Sequence, residues 1–271
     1  MVEPPPPLRS RTRHSDIHRP VFAFSHDLGE VKADADIERV FSLGIVQDQV
    51  INFAGASKAM TPIPGLWSSY HKDDISAVTA FYHDYQHARQ HSLDLDRRIE
   101  SDSYAAAGQN YATITTLAVR QTFGGLQFAG TPEKPYIFLK EISSNSDIQT
   151  VDVIFPAYPI ILYLNAKLGR YLLDPLFENQ ESGAYPNAYA IHDLGTFPVA
   201  KGYPEGNDEP MPLEECGNMI IMTLAYVQRT GDVDYLRAHY PKLVQWAEFL
   251  VEDSLVPASQ LSTDDFAGTL A

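Results

Sequence analysis

Cys216 is the only cysteine among 271 residues, so no disulfide can form within the chain. It lies between Glu215 and Gly217, where neighbouring carboxylates disfavour a thiolate, and it reads as a small helix-packing residue and not as a nucleophile. Positive charge is also scarce: 20 Lys and Arg stand against 35 Asp and Glu, for a net charge of −15. Such a surface repels a phosphate backbone and an anionic bilayer, which argues against nucleic acid or membrane partners and favours a small neutral or cationic substrate. Familiar catalytic signatures are missing. There is no G-x-S-x-G elbow, no H-E-x-x-H helix, no Cys/His cluster and no EF-hand spacing. The first twenty residues hold no apolar stretch long enough for a signal h-region or a membrane span. Neither a cofactor nor a metal is expected, and the oligomeric state stays open.

Apolar residues make up 44% of the chain and aromatics 11%, enough for a substantial core in one large domain or two smaller ones. Three regions follow from composition. Residues 1–19 carry four consecutive prolines and Arg9, Arg11, Arg13 and Arg19, and are expected to be disordered. Residues 20–65 hold two strand-like runs, VFAFSHDLGEV and RVFSLGIVQDQVINFAG, followed by a loop with Pro62, Pro64 and Gly65. From 66 to 271 the spacing of apolar residues turns helical. It predicts an αα-hairpin from 73–98 and 101–128, a helix over 159–180, and a second hairpin from 213–229 and 233–252 around Thr230–Gly231–Asp232. Polar, Gly/Pro-rich connections over 132–152 and 182–212 separate these pairs. Long connections of this kind in a compact domain are usually functional.

The densest polar stretch runs from Ile191 to Met222, IHDLGTFPVAKGYPEGNDEPMPLEECGNMIIM. It gathers His192, Asp193, Asp208, Glu209, Glu214, Glu215 and Asn218 around a loop that breaks into a helix. Pro212 at the helix start, acids in the first turn and an apolar run behind them suit the positive end of the helix dipole. Glu214 and Asn218 are four apart and Glu215 and Asn218 three apart, so one face presents carboxylate beside carboxamide. Two weaker signals lie elsewhere. Ser69 and Lys72 match an isolated S-x-x-K, close to chance without its partner motifs. Glu205, Asn207, Asp208 and Glu209 offer oxygen ligands of the kind calcium takes, but a solvated acidic loop is the simpler reading.

The segments KEISSNSDIQTVDVIFPAYPIILYLN, HDLG, MPLEECGNM and LSTDDFAG resemble the fungal glutaminase A family from about Pro20 onward. The resemblance implies a mainly α protein: a partial (α/α)6 toroid of helical hairpins, preceded by the short β remnant of an N-terminal β-sandwich-type domain. It also implies an extracellular hydrolase that converts L-glutamine to L-glutamate and ammonia. Against that pattern the chain has only a remnant of the β region and no signal peptide, and stops before the remaining helices, so the fragment is expected to be incomplete and inactive. Amide hydrolysis needs an activated water, an oxyanion stabiliser and an acid for the leaving ammonia. The spacing of polar residues points to Glu214 or Glu215 facing Asp264 or Asp265 across the mouth of the ring. His192, Asp193, Asn218, Glu141 and Asp152 are the candidates for holding substrate. A glycoside hydrolase using two facing carboxylates, with Tyr158, Tyr185, Tyr189, Phe197 and Tyr203 as sugar platforms, is the alternative, and a non-catalytic remnant the third reading.

Overall fold

The computed structural model describes residues 23–141 and 145–257. Asp264, Asp265 and the expected disordered leader lie outside the described residues. The chain divides into two compact units after Leu43. In the first, residues 23–43 form no strand, although the first run and the opening residues of the second were expected to. Phe41 meets Phe24 at 6.1 Å and His26 at 5.1 Å between ring centres, and the other apolar side chains stay largely exposed. A strand needs a neighbour for its backbone groups, and none of the described residues supplies one to this segment.

The second unit is mainly helical, as expected. Its elements run β1 (Gln49–Ala54), β2 (Met60–Pro64), a short 3-10 helix (Leu66–Ser69), α1 (Asp74–His83), α2 (Tyr85–Gly125), β3 (Leu126–Gly130), β4 (Pro135–Leu139), α3 (Val151–Asn165), α4 (Lys167–Glu181), β5 (Val199–Ala200), α5 (Pro212–Thr230) and α6 (Val233–Asp253). The second strand-like run becomes β only in its last residues, where partners exist. There β1 lies between antiparallel β2 and parallel β5. The region ends at Pro64 as expected, but Pro62 and Pro64 lie within β2 and not in a loop, because an edge strand tolerates prolines on its open side. Exposed Lys72 pairs with Asp73, which caps α1, so the S-x-x-K match has its lysine in solvent and in a structural ion pair.

The first helical hairpin exists but turns later than expected. Ala105 and Ala106 prolong the helix past residue 100, and the break falls at Ala107 and Gly108, where Gly108 takes φ 79°, a conformation glycine adopts without steric cost. The halves of α2 fold back on each other, with Thr115 Oγ1 donating to Ser103 Oγ at 2.8 Å and Arg120 pairing with Asp96 at 3.6 Å. The stretch over 132–152, expected to be a plain connection, contains β4 and the hairpin turn from β3. Helix α3 starts at Val151, eight residues before the expected Pro159, because Val151, Ile154 and Tyr158 already form its buried stripe. The α5–α6 hairpin matches expectation: Gly231 ends α5 at φ 75°, and Asp232 Oδ1 accepts from Tyr235 N at 3.0 Å to start α6.

The core sits where β4, α3, α4 and α5 meet, with Phe138, Ile154, Ile161, Leu172, Leu176, Phe177, Met219 and Trp246 almost fully buried. Gln149 is the polar member that fixes its register. Its Oε1 accepts from Leu139 N at 2.8 Å, and its Nε2 donates to the carbonyls of Ile137 at 3.0 Å and Leu172 at 2.5 Å, all buried. Gln149→Leu strands one buried N–H and two carbonyls. It is expected to lower unfolding free energy by about 1–3 kcal/mol in urea titrations; an unchanged midpoint would show that this side chain is not what holds β4 to α4.

Candidate active site

Three elements converge on one buried point. Residues 191–195 run beside the entry to α3, with Val151 N donating to His192 O at 2.8 Å, Leu194 N to Ile148 O at 2.9 Å and Ile148 N to Gly195 O at 2.8 Å. That pairing sets His192 next to Asp152, in the first turn of α3. The start of α5 is tied to the same segment, because Ala190 N donates to Cys216 Sγ at 3.2 Å. Glu215 is thereby carried to His192. One ligand atom from each of Asp152, His192 and Glu215 lies within 4.8 Å of the others, and these three residues are arranged so that they could hold a cation.

The hydrogen bonds around this trio are directional. His192 Nδ1 lies 2.7 Å from Asp193 Oδ2, and His192 Nε2 lies 3.5 Å from Asp152 Oδ1. Asp193 Oδ1 accepts from Gly195 N at 2.6 Å and from the Tyr203 hydroxyl at 2.9 Å. Gly195 stands at φ 112°, with Val199 O 2.8 Å from where a Cβ would sit, so a side chain there is excluded. Asn218 Nδ2 donates to Glu215 Oε2 at 3.2 Å. Glu215 is 0% exposed, and neither its Oε1 nor Glu214 Oε2 has a hydrogen-bond partner among the described residues.

The charges follow from burial and proximity. Burial works against the imidazolium of His192, but Asp193, Glu215 and Asp152 outweigh it and hold its pKa at about 9. Burial and then the neighbouring Asp152 push Glu215 well above the usual carboxylate range, and the same two causes raise Glu214. Burial also drives the Cys216 thiol up to about 12, in keeping with a packing role.

A profile of the glutaminase A six helical-hairpin domain matches residues 108–271, more than half of the chain. The chain belongs to the glutaminase A six-hairpin family. Residues 7–102 match a second profile, DUF5127, a domain of unknown function. Glutaminase A of Aspergillus oryzae is 57% identical over 253 residues, covering 93% of this chain and 36% of that protein. A probable glutaminase of Arthroderma benhamiae is 36% identical over 316 residues, with the same 93% and 36% coverage. The chain thus spans roughly a third of the length of these relatives.

In this glutaminase A-family chain, the fold brings Asp152, His192 and Glu215 together, with Asp193, Asn218 and Glu214 beside them. Glu141 stands outside the trio, where its Oε2 accepts from Thr150 Oγ1 at 3.3 Å. Glu205 and Asn207 are exposed, as a solvated loop requires, but Asp208 departs from that reading. It is buried, accepts from the Tyr185 hydroxyl at 2.9 Å through both oxygens and from His192 N at 3.1 Å, and so clamps the 182–212 loop onto the histidine backbone. Its nearest sequence signal was an acid in a Gly/Pro-rich loop just ahead of the acidic helix start. Asp147 was missed altogether: Thr196 Oγ1 donates to it at 3.2 Å, and burial followed by Asp193 raises its pKa. Of the aromatics considered as sugar platforms, Tyr158 and Tyr185 are buried, and Tyr203 is bound through its hydroxyl to Asp193.

Proposed function

We propose that this centre hydrolyses the side-chain amide of L-glutamine to L-glutamate and ammonia, as an extracellular enzyme. The observation that carries the reading is Glu214: a half-buried carboxylate with one oxygen unpartnered among the described residues, in the turn that also bears Glu215. Burial and then Asp152 raise its pKa, the direction that makes a carboxylate a stronger base. In the reaction, Glu214 takes a proton from water as the oxygen adds to the amide carbon. The His192 side of the trio faces the developing oxyanion. Glu214 then returns the proton to nitrogen as the C–N bond breaks and ammonia leaves. Asp193 and Asp208 hold His192 at its ring and backbone, and Asn218 orients Glu215. Asp264 and Asp265 stay in the proposal as facing carboxylates on the sequence argument alone. The names of both relatives support the substrate.

Ammonia release from glutamine, measured beside sugar release from aryl glycosides, tests the assignment in this chain and in one extended to the length of its relatives. Ammonia without sugar is expected from the extended form. Sugar without ammonia would move the site to glycoside hydrolysis, and inactivity of the extended form towards both would make it a non-catalytic region.

A further inference from the structure

We propose that Asp152, His192 and Glu215 bind one divalent transition-metal ion of the manganese or zinc class, with Asp193 and Asn218 holding two of the ligands in place. The catalytic use of such an ion rests on the amide-hydrolase reading, whereas its binding does not.

Three features converge on this. The donors come from three separate places, the first turn of α3, the 182–212 loop and the first turn of α5, so the site is assembled by the fold and not by one stretch of acids. His192 commits Nδ1 to Asp193 at 2.7 Å and turns Nε2 towards Asp152 at 3.5 Å. A carboxylate on the far nitrogen is the usual support of a metal-bound imidazole, fixing its tautomer and raising its basicity. Two neighbouring ligands around an ion with bonds of about 2.1 Å stand roughly 3–3.5 Å apart, close to the His192–Asp152 separation. Glu215 supplies the independent observation. It is fully buried, Asn218 occupies Oε2, Oε1 has no hydrogen-bond partner among the described residues, and one of its carboxylate oxygens belongs to the trio. A buried carboxylate oxygen without a donor is costly, and a cation satisfies it.

Charge points the same way. Asp152 and Glu214 both repel a charged Glu215, and a cation bound in the trio relieves that repulsion. Two carboxylate oxygens and one imidazole nitrogen suit manganese, iron or zinc better than calcium, which prefers an all-oxygen shell, or thiolate-seeking copper(I). The competing occupant is a proton shared by the same groups, and binding measurements separate the two.

The 271-residue chain, stripped with chelator and dialysed, is titrated calorimetrically with manganese chloride and, separately, zinc chloride. Binding of one ion per chain is expected with either salt, with a rise in melting temperature. Glu215→Gln and Asp152→Asn should each weaken binding at least tenfold while the circular dichroism of the apo form stays as in wild type. A second pair of variants keeps the test open should those fail to fold. On exposed α2, His87 and His91 place their Nε2 atoms 2.9 Å apart and are the obvious rival chelator. His87→Ala with His91→Ala should leave the buried binding event intact. Wild type that takes up neither ion, or binding lost in the α2 double variant, overturns the proposal. An ion bound without ammonia release from glutamine in the extended chain would sink the amide reading and leave the site standing. Undiminished ammonia release by a chain that binds no ion would do the reverse.

Discussion

Asp193→Ala is expected to lower unfolding free energy by about 3–5 kcal/mol, the usual cost of removing one partner of a buried ion pair. Both side chains are almost wholly buried, and the ring nitrogen lies 2.7 Å from the carboxylate. The alanine leaves His192 without its nearest counter-charge, and it also deprives Gly195 N and the Tyr203 hydroxyl of their common acceptor. Asp193→Asn keeps an oxygen for the Gly195 turn and should cost less. The order wild type, Asn, Ala in urea midpoints is the result that supports the argument. A loss below about 1 kcal/mol for Ala would place the pair with surface ion pairs, which contribute little.

Glu214→Gln should reduce kcat for glutamine by about 10²–10⁴, the range expected when a general base is removed, with a smaller change in KM. The amide has nearly the shape of the carboxylate, and the side chain is only half-buried, so folding should be retained. Ammonia release by the extended chain is the readout. A decrease under tenfold would take Glu214 out of proton transfer and shift attention to its neighbour Glu215.

The helix start at Pro212 was legible because its evidence is local: proline, acids, then an apolar run, all within a few residues. The same local logic found His192, Asp193 and Asn218. It failed for Asp208, whose role exists only because the 182–212 loop doubles back onto Tyr185 and His192, contacts made across 23 and 16 residues. It failed again for β3, whose first residues fall in the expected 101–128 helix, and for β4, which falls in the expected 132–152 connection, because neither is visible until Leu126 and Leu139 are paired. In the other direction, residues 23–31 had strand-like composition but form no ladder among the described residues.

The turn at Gly108 bears on how such proteins can be cut apart. One family model ends at residue 102 and the other starts at Gly108 itself, which suggests two separable modules. The bonding crosses that line repeatedly. Asp96 pairs with Arg120 within the α2 hairpin, Asn52 in β1 aligns with Val199 in β5, and Asn179 Nδ2 donates to Ala54 O at 2.8 Å. Residues 44–102 and 108–257, which fall to different family models, here belong to one compact unit. A scissor placed at residue 103 would divide a helical hairpin and a β-sheet at once, and the half bearing the histidine and its carboxylates would lose the strand against which its own loop is laid.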